Sequence, residues 1–171
     1  MIIAIDGPCC GGKTTYANKL AADFNVSCNI FHMDDFFLRP EQRTEERINT
    51  PGENVDYERF LEEVLIPLKS NSAFSYRKFS CSKMDLDEYV CVEPREINII
   101  EGTYSLHPAL RNYYDKCIYI DVDSKTQLER LKSREPAYKV EMFINKWIPL
   151  ERLYFDTFKP KNICDEIITL D

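Results

Sequence analysis

Long hydrophobic runs and paired cysteine motifs are missing from this sequence. No apolar run approaches the ~20 residues that a helix needs to span a bilayer. Met1 leads straight into a short apolar run, without a charged leader or a cleavage site. We therefore predict neither a membrane span nor a signal peptide. The seven cysteines form no C-x-x-C pair, which argues against a zinc site and a disulfide framework and favours a reducing, cytoplasmic location.

An excess of positive charge is also missing, since the formal net charge is -7. An acidic chain repels nucleic acid and anionic lipid, so we expect neither a nucleic-acid nor a membrane partner. The 171 residues, 44% of them hydrophobic, suit a single domain with one core over residues 1–171. The composition is compatible with a monomer or a small homo-oligomer.

Short apolar runs alternate with helical patterns along the chain. Strands are predicted at Met1–Asp6, Cys28–Met33, Ile97–Ile100, Cys117–Val122 and Ile163–Leu170. Helices are predicted at Thr15–Phe24, Asp56–Lys69, Ser124–Arg134 and Val140–Phe158. Pro149 is expected to kink or break the last helix. The alternation predicts an α/β fold, with three α/β/α layers around a mostly parallel five-stranded sheet.

Two segments interrupt this alternation. Residues 36–55 are polar and carry turn signals at Pro40 and at Pro51-Gly52. Residues 73–92 read as a small hairpin insertion, with strands at Ala73–Phe79 and Glu88–Val92. Ligands of open parallel sheets bind beyond the carboxyl ends of the strands. The carboxylates that follow predicted strands are therefore candidates for a site, and they are Asp34, Asp35 and Glu101.

A glycine-rich stretch follows the first predicted strand and opens the first predicted helix. It reads GPCCGGKTT and fits the pattern G-x-x-x-x-G-K-[ST]. Its members are Gly7, Pro8, Cys9, Cys10, Gly11, Gly12, Lys13, Thr14 and Thr15. In such a loop the backbone N–H groups surround phosphate oxygens, the lysine reaches the β- and γ-phosphates, and the hydroxyl after it ligates Mg²⁺. The sequence thus predicts a P-loop NTPase fold that binds ATP with Mg²⁺.

The two adjacent cysteines of this loop are unusual occupants. Cys9 and Cys10 lie near a predicted helix N-terminus and Lys13, and both features lower the pKa of a thiol. Two interpretations remain open: the loop is sensitive to oxidation, or two small side chains simply fit there.

The other motifs of the chain select among P-loop proteins. A signalling GTPase needs Asp-x-x-Gly and Asn-Lys-x-Asp. No glycine here has an aspartate three residues before it, and Asn145-Lys146 is followed by Trp147 and Ile148. The chain length suits a kinase for a small molecule, which needs a base as well as a phosphate cradle. Asp34 and Glu101 supply the candidate carboxylates, although Asp34 could also start a loop and Glu101 could be a solvated strand end.

Four stretches resemble the uridine kinase and phosphoribulokinase group of P-loop kinases, which includes nicotinamide riboside kinases. They are Gly7–Thr15, HMDDFFL at His32–Leu38, NVDYERF at Asn54–Phe60 and IIEGTYSLHP at Ile99–Pro108. The resemblance implies that Asp34 takes the proton from the acceptor hydroxyl and that Glu101 lies near the metal. The implied catalytic set is Lys13, Asp34, Glu101 and Arg134, and the implied metal set is Thr14, Asp34 and Glu101.

The resemblance also implies an acceptor pocket. Asp56 would accept hydrogen bonds from the 2′- and 3′-hydroxyls of a ribose, or would be a helix N-cap. Aromatic side chains would line the sugar and base pocket or lie in the core. The implied substrate-binding set is Asp34, Phe36, Phe37, Asp56, Tyr57, Tyr76, Arg77, Glu101 and Tyr104.

A lid arginine is expected after the fourth core strand, in a short lid at about residues 132–139. Arg134 is the first choice, and Arg130 and Lys132 are alternatives, unless these charges form a solvated helix face. The predicted reaction is phosphorylation of a small-molecule hydroxyl, first of all the 5′-hydroxyl of uridine or cytidine. Nicotinamide riboside, pantothenate or a sugar is an alternative acceptor, and a regulatory module that binds nucleotide without catalysis is an alternative class.

Overall fold

The structure, a computed structural model, describes residues 1–170, and its centre is a sheet of five parallel strands. The strands of the chain are β1 (Ile2–Asp6), β2 (Cys28–His32), β3 (Phe74–Ser80), β4 (Asp85–Val92), β5 (Ile97–Glu101), β6 (Lys116–Asp121) and β7 (Glu166–Thr169). The central sheet has the order β2-β5-β1-β6-β7, and each neighbouring pair is parallel. The five-stranded parallel sheet expected from the sequence is confirmed.

Five helices accompany the strands. They are α1 (Lys13–Asp23), α2 (Glu45–Asn49), α3 (Tyr57–Phe60, Leu61–Leu65 and Ile66–Ser70 in succession), α4 (Ser124–Arg134) and α5 (Ala137–Met142, Phe143–Trp147 and Ile148–Phe158 in succession). The middle segments of α3 and α5 are π-helical turns, and a proline, Pro67 or Pro149, comes just after each turn. In a regular α-helix a proline clashes with the carbonyl four residues earlier, but a π turn moves the bonding one residue further back. Of the two outcomes predicted at Pro149, the break is wrong, because α5 continues through this residue, and the kink stays a prediction.

The two faces of the sheet are covered by different helices. On one face α1 packs against isoleucines of the central strands, among them Ile3, Ile5 and Ile99. The other face carries a larger, aromatic cluster that takes in residues of α3 and α5, such as Phe60 and Tyr154. This gives three layers, α/β/α. All residues of β1 and β5 are buried, so the ends of these strands are held rigidly by their neighbours.

The hairpin of β3 and β4 forms a separate two-stranded antiparallel sheet. It packs on the aromatic face of the central sheet, where the ring of Tyr76 stacks at 5.4 Å from that of Phe36. β7 begins at Glu166 rather than at the predicted Ile163, because a 3₁₀ turn, Pro160–Asn162, comes first. Within residues 1–170, no helix combines the length and the apolar character needed to cross a membrane.

Candidate active site

The phosphate loop lies between β1 and α1, where the sequence predicts it. The Nζ atom of Lys13 donates hydrogen bonds to the carbonyl oxygens of Gly7 at 3.0 Å and Pro8 at 2.8 Å. A third bond, 3.2 Å long, reaches the hydroxyl of Thr103, just after β5. Only 8% of Lys13 is exposed. The lysine is thus held over the loop by the loop's own carbonyls.

Glycine is required at two positions of this loop. Gly7 has φ +146, and a Cβ atom there would lie 2.4 Å from the carbonyl oxygen of Ile120 on β6. Gly12, the residue before α1, has φ +96, in the region that side chains disfavour. The glycines therefore let the loop wrap tightly against the sheet. The loop leads directly into the positive N-terminus of α1.

Thr14 and Glu101 come together beside the loop. The Thr14 hydroxyl donates to Oε1 of Glu101 at 2.9 Å, and Nδ1 of His32 lies 2.5 Å from the same oxygen. Glu101 is 5% exposed, whereas Thr14 is open to solvent. The hydrogen bond between His32 and Glu101 raises the pKa of His32. A hydroxyl and a carboxylate are hard oxygen ligands, and Mg²⁺ usually takes only one or two protein ligands beside phosphate and water. These two residues fit that requirement.

Asp34 follows β2, at the same edge of the sheet as Glu101, and both Lys13 and Glu101 act on it electrostatically. Among residues 1–170, no side chain or backbone group hydrogen-bonds to its carboxylate, and the residue is open to solvent. Desolvation by the surrounding protein raises the pKa of Asp34, Lys13 opposes the rise, and Glu101 adds to it. The next residue, Asp35, is different, since its carboxylate is paired with Lys78 at 2.9 Å. The free carboxylate is therefore that of Asp34.

Sequence reasoning missed a buried carboxylate that organises the loop. Asp6, at the end of β1, is 0% exposed and accepts hydrogen bonds from the N–H groups of Gly7 (2.6 Å), Tyr104 (3.2 Å) and Leu106 (2.9 Å). It also accepts one from the hydroxyl of Tyr154 on α5, at 2.7 Å. Burial raises the pKa of Asp6, and these bonds oppose the rise. The strand-end rule that selects Asp34 could have found it.

Two further side chains missed by the sequence hold the loop from outside. Glu151 of α5 is 5% exposed, and its Oε2 accepts from the N–H of Cys9 at 3.1 Å. Gln127 of α4 donates to the carbonyl of Cys9 at 3.2 Å. Nothing in the local sequence marks either residue, because each is an ordinary polar residue of a helix. Their roles arise only when the helices pack.

The lid candidates lie at the end of α4. Arg130 is tied to the loop, with donations to the carbonyl oxygens of Gly11 at 3.2 Å and Leu170 at 3.1 Å. The side chain of Arg134 is 54% exposed and pairs with the neighbouring Glu135 at 3.1 Å. Arg130 is thus already bonded to backbone carbonyls of the loop and the C-terminal segment. Arg134 has no bond to the loop, and its exposed side chain is able to turn towards a phosphate. The lid function itself stays a prediction.

Asp56 occupies the N-cap of α3, the alternative that the sequence allowed. Its Oδ1 accepts from the N–H of Arg59 at 3.2 Å, and its Oδ2 accepts from the amide of Gln42 at 2.9 Å. Asp56 is 4% exposed. A ribose could reach Oδ2 only by displacing Gln42, so the ribose contact stays a prediction.

The aromatic residues assigned to the acceptor pocket divide into two groups. Phe36, Tyr76 and Tyr104 are buried in the core, so in this conformation they do not line an open pocket. Phe37 and Tyr57 are half-buried. The ring of Tyr57 stacks on that of His107, with centroids 4.1 Å apart.

Arg77, predicted to contact the base, bonds within the hairpin. It donates to the carbonyl oxygens of Asp87 and Leu86 across the hairpin, at 2.5 and 2.7 Å. Its guanidinium therefore stabilises the hairpin in this conformation, and a contact with a nucleobase stays a prediction.

The fold and the phosphate loop together define a nucleotide-binding protein of the P-loop class. The profile of the Phosphoribulokinase / Uridine kinase family matches residues 2–139. This is most of the chain, and the protein belongs to that family. None of the curated proteins compared with the chain matches it.

Solved structures share the fold. A protein of Bacillus stearothermophilus described as a possible uridine kinase aligns with a TM-score of 0.75 and 22% identity, over 98% of this chain and 88% of that one. A kinase assigned provisionally to a fructose transport system of Silicibacter sp. TM1040 aligns with a TM-score of 0.73 and 20% identity, over 98% and 88%. D-glycerate 3-kinase of Cryptococcus neoformans var. grubii aligns with a TM-score of 0.59 and 17% identity, over 91% of this chain and 79% of that one.

Proposed function

We propose that this protein transfers the γ-phosphoryl group of ATP to a hydroxyl of a small molecule, with the 5′-hydroxyl of uridine or cytidine as the first candidate. The observation that carries the proposal is the unpaired carboxylate of Asp34, in the same cleft as Lys13 and Glu101. A protein that only binds nucleotide has no need of an unpaired carboxylate there. Membership of the family favours a phosphorylated hydroxyl, and the resemblance of the four motifs favours a nucleoside.

Asp34 accepts the proton as the acceptor oxygen attacks. A general base works best when its pKa approaches the working pH. Desolvation raises the pKa of Asp34 above its ordinary value, which strengthens its carboxylate as a base. The exposure of Asp34 leaves room for a substrate hydroxyl beside it.

Lys13 and Arg134 act on the donor phosphates. The ammonium of Lys13 now bonds to Gly7 and Pro8 carbonyls, and a triphosphate in the loop offers it stronger, charged acceptors. Arg134 leaves its exposed pair with Glu135 at little cost, because exposed ion pairs contribute only about 0–1 kcal/mol. Mg²⁺, when held by Thr14 and Glu101, neutralises charge on the phosphate oxygens.

The acceptor is the part of the proposal that needs the first experiment. ADP release is measured with ATP and Mg²⁺ against uridine, cytidine, adenosine, nicotinamide riboside, pantothenate and several sugars. We expect turnover with uridine or cytidine. Turnover with another member of the panel keeps the reaction and replaces the acceptor. ATP binding with no turnover on any acceptor favours the regulatory module instead.

The same assay tests the base with a matched pair of variants. Asp34→Asn keeps the size of the side chain but removes the proton acceptor, and we expect turnover to fall by roughly 10²–10⁴-fold with ATP binding kept. Asp35→Asn, which changes the paired neighbour, is expected to cost far less. Equal activity of Asp34→Asn and the unchanged protein would overturn the assignment of the base.

A further inference from the structure

Tyr104 lies in the turn that follows β5 and has an unusual backbone. Its φ is +76, a left-handed conformation that residues with a bulky side chain seldom adopt. The residue is 6% exposed, and its ring lies edge-on to that of Tyr154, with the centroids 4.9 Å apart. Such a strained conformation persists only where the surrounding structure fixes it, and it is found most often at functional sites.

The backbone of Tyr104 is tied to the phosphate loop through Asp6. The Oδ1 atom of Asp6 accepts the N–H of Gly7 at 2.6 Å and the N–H of Tyr104 at 3.2 Å. Its Oδ2 atom accepts the hydroxyl of Tyr154, the ring against which Tyr104 packs, at 2.7 Å. Because Asp6 is fully buried, these bonds are strengthened by the low local dielectric. A displacement of Gly7 therefore acts on the same oxygen that holds Tyr104.

The side chain of Tyr104 reaches the part of the chain predicted to bind the acceptor. Its hydroxyl accepts a hydrogen bond from the side-chain amide of Asn54 at 3.2 Å, and both residues are buried. Nearby, Gly52 has φ +81, and a Cβ atom there would lie 2.7 Å from the ring of His107. Residues 52–56, which we call segment 52–56, are thus fastened to the turn after β5.

Segment 52–56 in turn holds the turn that carries the candidate base. The N–H of Asp56 donates to the carbonyl oxygen of Phe36 at 2.7 Å. Phe36 is the last residue of the 3₁₀ turn Met33–Phe36, which contains Asp34. Tyr104 therefore stands between the phosphate loop and the chain that places Asp34.

We propose that Tyr104 is a positioning residue that couples the phosphate loop to segment 52–56. A triphosphate in the loop changes the bonding of Gly7, whose carbonyl oxygen accepts from Lys13 in this conformation. Asp6 and Tyr104 pass this change to Asn54, so that segment 52–56 is held more firmly once the donor is bound. The inference rests on the proposed function in requiring a triphosphate in the loop, and it does not depend on which acceptor is phosphorylated.

Hydrogen exchange followed by mass spectrometry tests the coupling with a non-hydrolysable ATP analogue and Mg²⁺. Exchange rates are compared with and without the analogue in peptides that cover residues 7–15 and segment 52–56. We expect slower exchange in both, by about 5-fold or more in segment 52–56, the lower limit of an ordinary coupling between two sites. Protection of the loop alone would overturn the coupling and leave the kinase proposal standing. No protection of either region would overturn both, because the loop would then bind no nucleotide.

A matched pair of variants tests the hydroxyl of Tyr104. Tyr104→Phe removes the acceptor of the bond from Asn54. Tyr114→Phe is the control, because the hydroxyl of Tyr114 donates to the carbonyl oxygen of Ser105 at 2.8 Å, in the same turn. In Tyr104→Phe the analogue should still protect the loop but lose most of its effect on segment 52–56, whereas Tyr114→Phe should keep both effects.

The readout is the ratio of exchange rates with and without the analogue. A change that merely loosened segment 52–56 would speed exchange in both conditions and leave this ratio unaltered. An unaltered ratio in Tyr104→Phe would therefore overturn the proposal.

The donor of the bond gives an independent check. Asn54→Ala removes the side-chain amide and should cost segment 52–56 the same protection as Tyr104→Phe. Because the two residues act through one hydrogen bond, the double variant should lose no more than either single variant. Losses that add up in the double variant would show separate roles and would overturn the coupling through this bond.

Discussion

Two parts of the candidate site are organised in different ways. We call the phosphate loop and its supports the donor side, and the surroundings of Asp56 and Arg77 the acceptor side. On the donor side, Asp6, Glu151 and Gln127 reach the phosphate loop from three separate elements, and each bonds to its backbone. On the acceptor side, Asp56 and Arg77 bond to their own surroundings instead. The loop is therefore preorganised, whereas the two residues predicted to bind the acceptor are engaged in contacts within the protein.

This difference explains why one half of the site can be assigned more fully than the other. A triphosphate is recognised largely by backbone N–H groups, so its site needs a fixed loop and a rigid support. An acceptor is recognised by side chains, and these are free to form internal bonds when it is absent. Preorganisation lowers the cost of binding on the donor side, while an acceptor that binds at Asp56 would first displace the hydrogen bond from Gln42.

The largest expected effect is on the support of the loop. Asp6→Ala removes the acceptor of three N–H groups and one hydroxyl, all buried, and should lower the free energy of unfolding by about 3–5 kcal/mol. Urea unfolding measures the loss. Asp23→Ala, at the exposed end of α1, is the matched control and should change little. A loss below about 1 kcal/mol for Asp6→Ala would mean that the loop supports itself.

The phosphate loop and Glu101 could be predicted from the sequence because their signals are local, whereas the side chains that support the loop could not. The loop motif, the strand before it and the helix after it are contiguous, and Glu101 comes at the end of a short strand rich in isoleucine. Glu151 is more than a hundred residues from the loop, so only the packing of α5 reveals its contact. The continuity of α5 through Pro149 has the same origin, since the π turn before it leaves no local sequence signal.

The acceptor side was predictable only in part. The hairpin and the position of Asp56 at the start of a helix follow from local patterns. The burial of Phe36 and Tyr76 does not, because an aromatic residue suits a pocket and a core equally well until its neighbours are known.

The next effect concerns the lysine of the loop. Lys13→Ala should reduce kcat by roughly 10²–10³-fold, because it removes a preorganised charge from the transferring phosphoryl group. Because Lys13 is buried and bonds to Gly7, Pro8 and Thr103, urea unfolding of the variant is measured in parallel, so that a loss of kcat is compared at equal folded fraction. Steady-state ADP release measures the change, with Lys19→Ala, on the exposed face of α1, as the control. Unaltered kcat would contradict the assignment of the donor site.

A smaller effect is expected at the acceptor side, where Asp56→Asn separates the two interpretations of this residue. Asparagine can still cap α3, but the variant removes the negative charge 3.5 Å from the buried guanidinium of Arg59, so urea unfolding should show a measurable loss of stability beside the kinetic effect. If a nucleoside displaces Gln42 and binds Asp56, the variant should raise KM about 10-fold with kcat kept, because binding common to ground and transition states is lost. Gln42→Ala should not raise KM. An unchanged KM in Asp56→Asn would mean that the residue is only a cap, and that the acceptor binds elsewhere.

The smallest expected effect is a displacement of the pH profile. Transfer requires Asp34 in its ionised form, so the rate falls as the pH falls through its pKa. An ordinary aspartate has a pKa of about 3.9. Because the pKa of Asp34 is raised, the rate begins to fall at a higher pH than it would with an ordinary aspartate. Lys13 opposes the rise, so its removal in Lys13→Ala should move the acid limb of the residual activity further upwards. The profile of kcat/KM against pH measures both shifts. If the acid limb stays in place in Lys13→Ala, Lys13 has no electrostatic effect on the group that titrates. The base would then be a residue other than Asp34.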